Sequence, residues 1–140
     1  MIRVLGIGSP FGADQLAWQA IDHLAELDLQ GCELLKLDRP GSQVVSYFQG
    51  VEEVVIIDAL RSSESPGGVR AIDLESLHQE ACLTSSHGFG VVDAVALAER
   101  LGELPSRLSV IGIETGEDVN RLPAIDFPML EDLFRRLLVP

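Results

Sequence analysis

The segment Val54-Val55-Ile56-Ile57-Asp58-Ala59-Leu60-Arg61-Ser62-Ser63-Glu64-Ser65-Pro66-Gly67-Gly68-Val69-Arg70-Ala71-Ile72-Asp73 decides the architecture. Val54 to Ile57 is the most apolar run in the chain and reads as a central strand, the third, buried on both faces and ending on Asp58. Arg61 to Gly68 is turn chemistry, too short for the crossover helix that a parallel return requires. Gly68 to Asp73 is therefore expected to be a strand antiparallel to the third, which makes the sheet mixed.

The flanking sequence alternates strand and helix in the manner of an α/β protein. Ile2 to Ile7 reads as a first strand, ended by Gly6, Gly8 and Pro10. Asp14 is placed as the N-cap of a helix reaching Leu27, with Leu16, Ala20, Leu24 and Leu27 at helical spacing. Cys32 to Leu37 is a second strand, followed by a short helix over Val44, Val45 and Phe48. A polar stretch from Asp73 to Ser86 leads to a helix from Phe89 to Leu101. Arg107 to Ile113 is the last strand. The final helix begins near Asp126, with Pro128 in its first turn and Arg135 and Arg136 near its end, the charge order a helix dipole favours. Five strands and about four helices result, with no repeat or linker, so residues 1–140 are expected to form a single domain.

Composition removes several function classes. The 140 residues carry 22 acids against 10 bases, a net charge of -12. Such a surface repels phosphate backbones and anionic lipid, so no nucleic acid and no membrane is expected as a partner. Cys32 and Cys82 form no C-x-x-C, which argues against a disulfide framework or a zinc knuckle. No apolar run approaches the ~20 residues of a membrane span. The first strand begins at once, without a signal-peptide pattern, and a cytoplasmic location is expected.

In open α/β sheets, ligands sit beyond the carboxyl ends of the parallel strands. That rule selects Ser9 to Gln15, Asp38 to Gly41, Asp58-Ala59, the loop Thr84 to Gly88, and Glu114 to Glu117. A dinucleotide fingerprint fails, because Phe11 stands where G-x-G-x-x-G needs its third glycine and Pro10 lacks an amide donor, although Asp38 sits where a ribose-binding acid would. A serine-hydrolase elbow is absent, since Ile7 and Phe11 flank Ser9 at its glycine positions. Ser85 and Ser86 read as helix caps, and nothing sets either cysteine beside a base. His23 and His78 read as exposed. His87, between small residues, is accessible, and both a functional and a plain surface role stay open for it. Asp58 could cap a turn, or serve as an acid-base group or metal ligand at the mouth of a central strand.

The order Gly6-Ile7-Gly8-Ser9, Asp14-Gln15, Val55-Ile56-Ile57-Asp58-Ala59 and Ser86-His87-Gly88 resembles the hydrogenase maturation proteases. These endopeptidases trim the C-terminal tail of a nickel–iron hydrogenase large subunit. Ser65-Pro66-Gly67-Gly68 and Val110-Ile111-Gly112-Ile113 resemble the family as well, so the likeness runs over nearly the whole chain. It implies a three-layer α/β/α sandwich of the phosphorylase/hydrolase-like type, whose mixed five-stranded sheet has one antiparallel strand. It also implies Asp58 and His87 as catalytic groups, and Gln15, Asp58 and His87 as contacts to a nickel ion supplied by the substrate, with no stored cofactor. The implied partner is the hydrogenase large-subunit precursor, met by a monomer. At the first ligand position the family carries an acid where this chain has Gln15, a neutral and weaker donor, and Ser9 replaces the usual Asn. That departure leaves a second class in view, a non-proteolytic paralogue binding metal or a hydrogenase subunit; a nucleotide binder using the Gly8 turn and Asp38 is the third.

Overall fold

A computed structural model describes residues 1–61, 65–74, 90–118 and 120–138. Five strands form one sheet: β1 (Ile2–Gly8), β2 (Cys32–Asp38), β3 (Glu53–Leu60), β4 (Val69–Ile72) and β5 (Arg107–Glu114). Their order is β2-β1-β3-β5-β4, with β4 antiparallel to β5 and every other pair parallel. The mixed five-stranded sheet is as expected, and β3 is central and buried along its whole length.

The antiparallel direction of the fourth strand is as expected, and the structure adds its neighbour. β4 runs opposite to β3 but pairs with β5, which lies between them. The cause is the turn at Ser65 to Gly68. Pro66 and Gly67 occupy its centre, Gly67 has φ 85°, and the Gly68 amide donates to the Ser65 carbonyl at 2.7 Å, as in a type II turn. The same turn is tied to β5: the Gly67 amide donates to the Glu114 carbonyl at 2.7 Å, and the Glu114 amide donates to the Gly68 carbonyl at 2.8 Å. Residues 61–68 are long enough to step past one strand, at up to ~3.3 Å each.

Alternation along the strands sorts the side chains into two cores. Val55, Ile57 and Ala59 of β3 pack with α1 (Leu16–Glu26) and α3 (Phe127–Leu138), through Leu16, Ala20, Leu130 and Phe134. Val54, Ile56 and Leu60 face the other way, toward a 3-10 helix at Gly41–Phe48 and α2 (Val91–Leu101), through Val44, Phe48, Ala94 and Ala98. Helices thus cover both faces of the sheet in three layers, the arrangement that lets parallel strands be apolar on both sides.

Two local expectations are corrected. β3 continues to Leu60, because β5 pairs with it as far as Leu60↔Glu114, so Asp58 lies inside the strand. Asp14 is not the N-cap of α1: a 3-10 turn at Gly12–Gln15 precedes that helix, and Gln15 takes the cap position without a side-chain hydrogen bond. Asp126, by contrast, does cap α3, its Oδ1 accepting the Met129 amide at 3.2 Å. Among the described residues, no helix is long and apolar enough to cross a membrane.

Candidate functional site at the mouth between β1 and β3

β1 has β2 on one side and β3 on the other, so successive connections leave it in opposite directions. Such a switch point opens a crevice at the carboxyl ends of the strands. The β1–β3 ladder ends at Gly6↔Ile57, although β1 continues to Gly8 and β3 to Leu60. Asp58 is the first β3 residue beyond that last pair. It is 1% exposed, and alternation turns it toward the α2 side of the sheet, with Ile56 and Leu60. Its Oδ1 accepts the Ala59 amide at 2.9 Å. A carboxylate so deep at a strand mouth is uncommon unless it is held by donors or used.

The segment after β1 folds back over the same edge. Gly8 is required there, because a Cβ on it would lie 2.2 Å from the Asp14 carbonyl oxygen. The Ser9 amide donates to that carbonyl at 3.2 Å. The Ser9 hydroxyl, itself buried, donates to Asp14 Oδ2 at 3.0 Å and accepts the Phe11 amide at 3.4 Å. Ala13 points into the α1-side core, and the 3-10 turn lies against both β1 and β3. On α1, the Trp18 indole N–H donates to the Leu37 carbonyl of β2 at 3.2 Å, fixing the helix across β1.

Gln15 and Asp58 therefore share one edge of the sheet, Gln15 half-buried at the start of α1 and Asp58 buried in β3. α2 packs against the 3-10 helix at Gly41–Phe48 on the Asp58 face of the sheet, and at its N-cap the Gly90 amide donates to the Asp93 carboxylate at 3.0 Å. His87 lies outside the described residues, as do Cys82, Ser85 and Ser86. The nucleotide alternative loses its two supports. The space above Gly8 is filled by the chain's own Asp14 carbonyl, and Asp38 is exposed and engaged with Arg39 Nε at 3.0 Å. Cys32 is half-buried on an edge strand, its thiol pushed up first by burial and then by the Glu53 carboxylate, and so poorly ionised for nucleophilic work. The Ser9–Asp14 pair was not anticipated from spacing; the only sequence signal for it was a hydroxyl in the place of the family's usual Asn.

Residues 28–124 match the family model of the HycI hydrogenase maturation proteases. The chain belongs to the hydrogenase maturation protease family. The match spans Asp58 and His87 and begins after Gln15. A hydrogenase expression/formation protein HupD from Rhodobacter capsulatus is 26% identical over 121 residues, covering 83% of this chain and 58% of its own length. The chain thus spans little more than half of that relative. Among solved structures, the hydrogenase maturating endopeptidase HybD of E. coli superposes with a TM-score of 0.71 at 21% identity, covering 98% of this chain and 89% of its own. The nickel–iron hydrogenase maturation protease HybD of Thermococcus kodakarensis gives 0.68 at 24% identity, covering 99% of each chain. These likenesses establish the fold as that of the family's proteases.

Proposed function

We propose that this protein is an endopeptidase that removes the C-terminal extension of a nickel–iron hydrogenase large-subunit precursor once nickel is in place. The observation that carries the proposal is Asp58, a carboxylate buried at the β1–β3 mouth of a chain belonging to this family. Asp58 and His87 contact the nickel held by the substrate, and a neutral oxygen from Gln15 or water completes the shell. Oxygen and imidazole donors suit a divalent first-row ion. Hydrolysis adds water across the scissile C–N bond, leaving a carboxylate on the mature subunit and an amine on the released tail. The substrate's nickel favours this step by polarising the carbonyl or acidifying the water. No metal is stored in the free protein, which acts as a monomer in the cytoplasm.

Gln15 favours one other reading, an accessory protein that binds the metal or the subunit without cutting, because an amide is a weaker ligand than the acid usual there. Incubating nickel-loaded precursor with wild type, Asp58→Ala and His87→Ala separates the two. Cleavage by wild type, lost in both variants while their circular dichroism is kept, is the expected result. Normal processing by either variant would sink the site assignment, and no cleavage of a competent precursor by wild type would favour the accessory reading.

A further inference from the structure

We infer that Arg70 is a specificity-determining residue at the same edge of the sheet, where its guanidinium receives a carboxylate carried by the precursor's C-terminal segment. The inference rests on the proposed function and adds a feature of the substrate that is read besides the metal. Strand register brings Arg70 and Asp58 into one row. Asp58 of β3 pairs with Gly112 of β5, and Gly112 pairs with Arg70 of β4. Two strand spacings separate them, about 10 Å between backbones. Both project on the α2 face, because Ile56 and Leu60 of β3 and Ile72 of β4, each two residues away, lie in that core. Gly112 puts no side chain between the two charges. What closes over it is apolar: a Cβ there would meet Ile72 at 2.9 Å and Leu60 at 3.2 Å.

The guanidinium is drawn toward the carboxyl edge. Its Nε lies 3.8 Å from Oε1 of Glu114, two places further along β5, whose side chain is only 8% exposed. Glu114 leans over Gly68, where a Cβ would lie 2.7 Å from its Oε2, so the bare glycine of the turn gives this brace its place. At 3.8 Å the two attract without a hydrogen bond, and the Arg70 side chain stays 45% exposed. A guanidinium has five donors, enough to keep its partners in the protein and still meet a ligand carboxylate. On a chain of net charge -12 most of the surface repels a carboxylate, so a guanidinium beside the mouth fixes the register of an acidic segment.

The test is docking of nickel-free precursor, read by fluorescence anisotropy, with kcat and KM measured on the nickel-loaded form and melting recorded for each variant. Arg70→Ala is expected to weaken docking about fivefold to tenfold and to raise KM more than it changes kcat. Arg70→Lys, which keeps the charge and loses the fork, should recover part of that loss. Wild-type affinity should fall with added salt more steeply than that of Arg70→Ala. Two altered precursors, which need no change in this chain, identify the carboxylate. One has the acidic side chains of its C-terminal segment changed to amides; the other has neutral residues appended to its chain end. The one that removes the carboxylate should bind wild type as weakly as Arg70→Ala binds the normal precursor, and lose nothing further with that variant. An Arg70→Ala protein that docks as wild type does, or full wild-type affinity for both altered precursors, would overturn the inference and leave the proposed function standing. Loaded precursor that docks through Arg70 but is never cut by wild type would instead sink the protease reading and leave the inference with the accessory one.

Discussion

The two ends of the sheet treat their charges differently. At the amino end, the carboxylates of Glu33 and Glu53 each meet a guanidinium. Arg3 Nε reaches Glu33 at 2.6 Å while its Nη1 holds the Tyr47 and Gln49 carbonyls, and Arg107 Nη2 reaches Glu53 at 2.9 Å. At the carboxyl end, between β1 and β3, a serine hydroxyl donates to Asp14 and a backbone amide donates to Asp58. A guanidinium cancels a carboxylate's charge, whereas a hydroxyl or an amide orients it. The amino end is built to hold strands in register. On the proposed function, the carboxyl end presents Asp58 to the substrate's metal.

That contrast is most exposed at Asp58. Replacement by Asn keeps the size and one acceptor but removes the charge, and precursor cleavage should fall below detection with the fold intact by circular dichroism. Next in size is Gly8→Ala, which forces a methyl against the Asp14 carbonyl at the crowded end of β1. It should lower stability by roughly 2–4 kcal/mol in urea unfolding and disorder the Ser9–Asp14 turn. A variant as stable as wild type would show that the turn yields easily. At the other end, Arg107→Ala strips the guanidinium from Glu53, which is 3% exposed and whose Oε2 is buried with no hydrogen-bond partner among the described residues. Because Arg107 itself is exposed, the expected loss is about 1–2 kcal/mol, with cleavage unchanged. Asp132→Ala, which breaks the exposed pair with Arg136 on α3, should cost less than about 0.5 kcal/mol. Cys32, whose thiol is pushed up by burial and by Glu53, should react with a thiol reagent near pH 8 more slowly in the folded protein than in urea.

Much of this was legible in the sequence, for definite reasons. The apolar run at Val54–Ile57 could only be a doubly buried strand, and Ser65-Pro66-Gly67-Gly68 could only turn the chain, so the mixed sheet followed from local chemistry. The partner of β4 did not. Strand order depends on where the later β5 inserts, a long-range choice that nothing near residue 69 encodes. The end of β3 was placed two residues early at Asp58, because a charge usually closes an apolar strand; here β5 pairs onward to Leu60 and carries the carboxylate inside. Asp14 has the composition of an N-cap, yet the tight return over Gly8 starts with a 3-10 turn and directs its carboxylate to Ser9 instead. Asp58 and Gln15 were picked from their places after strands and from the family resemblance, and both stand at the carboxyl edge. His87, chosen in the same way, lies outside the described residues.

The most direct test is cleavage of one hydrogenase large-subunit precursor, prepared with and without nickel, by wild type and by Asp58→Asn. A metal-reading protease predicts that wild type cuts only the nickel-loaded form and that Asp58→Asn cuts neither. Cleavage of both forms by wild type, or of the loaded form by Asp58→Asn, would contradict a site in which the carboxylate at the β1–β3 mouth recognises the substrate's metal.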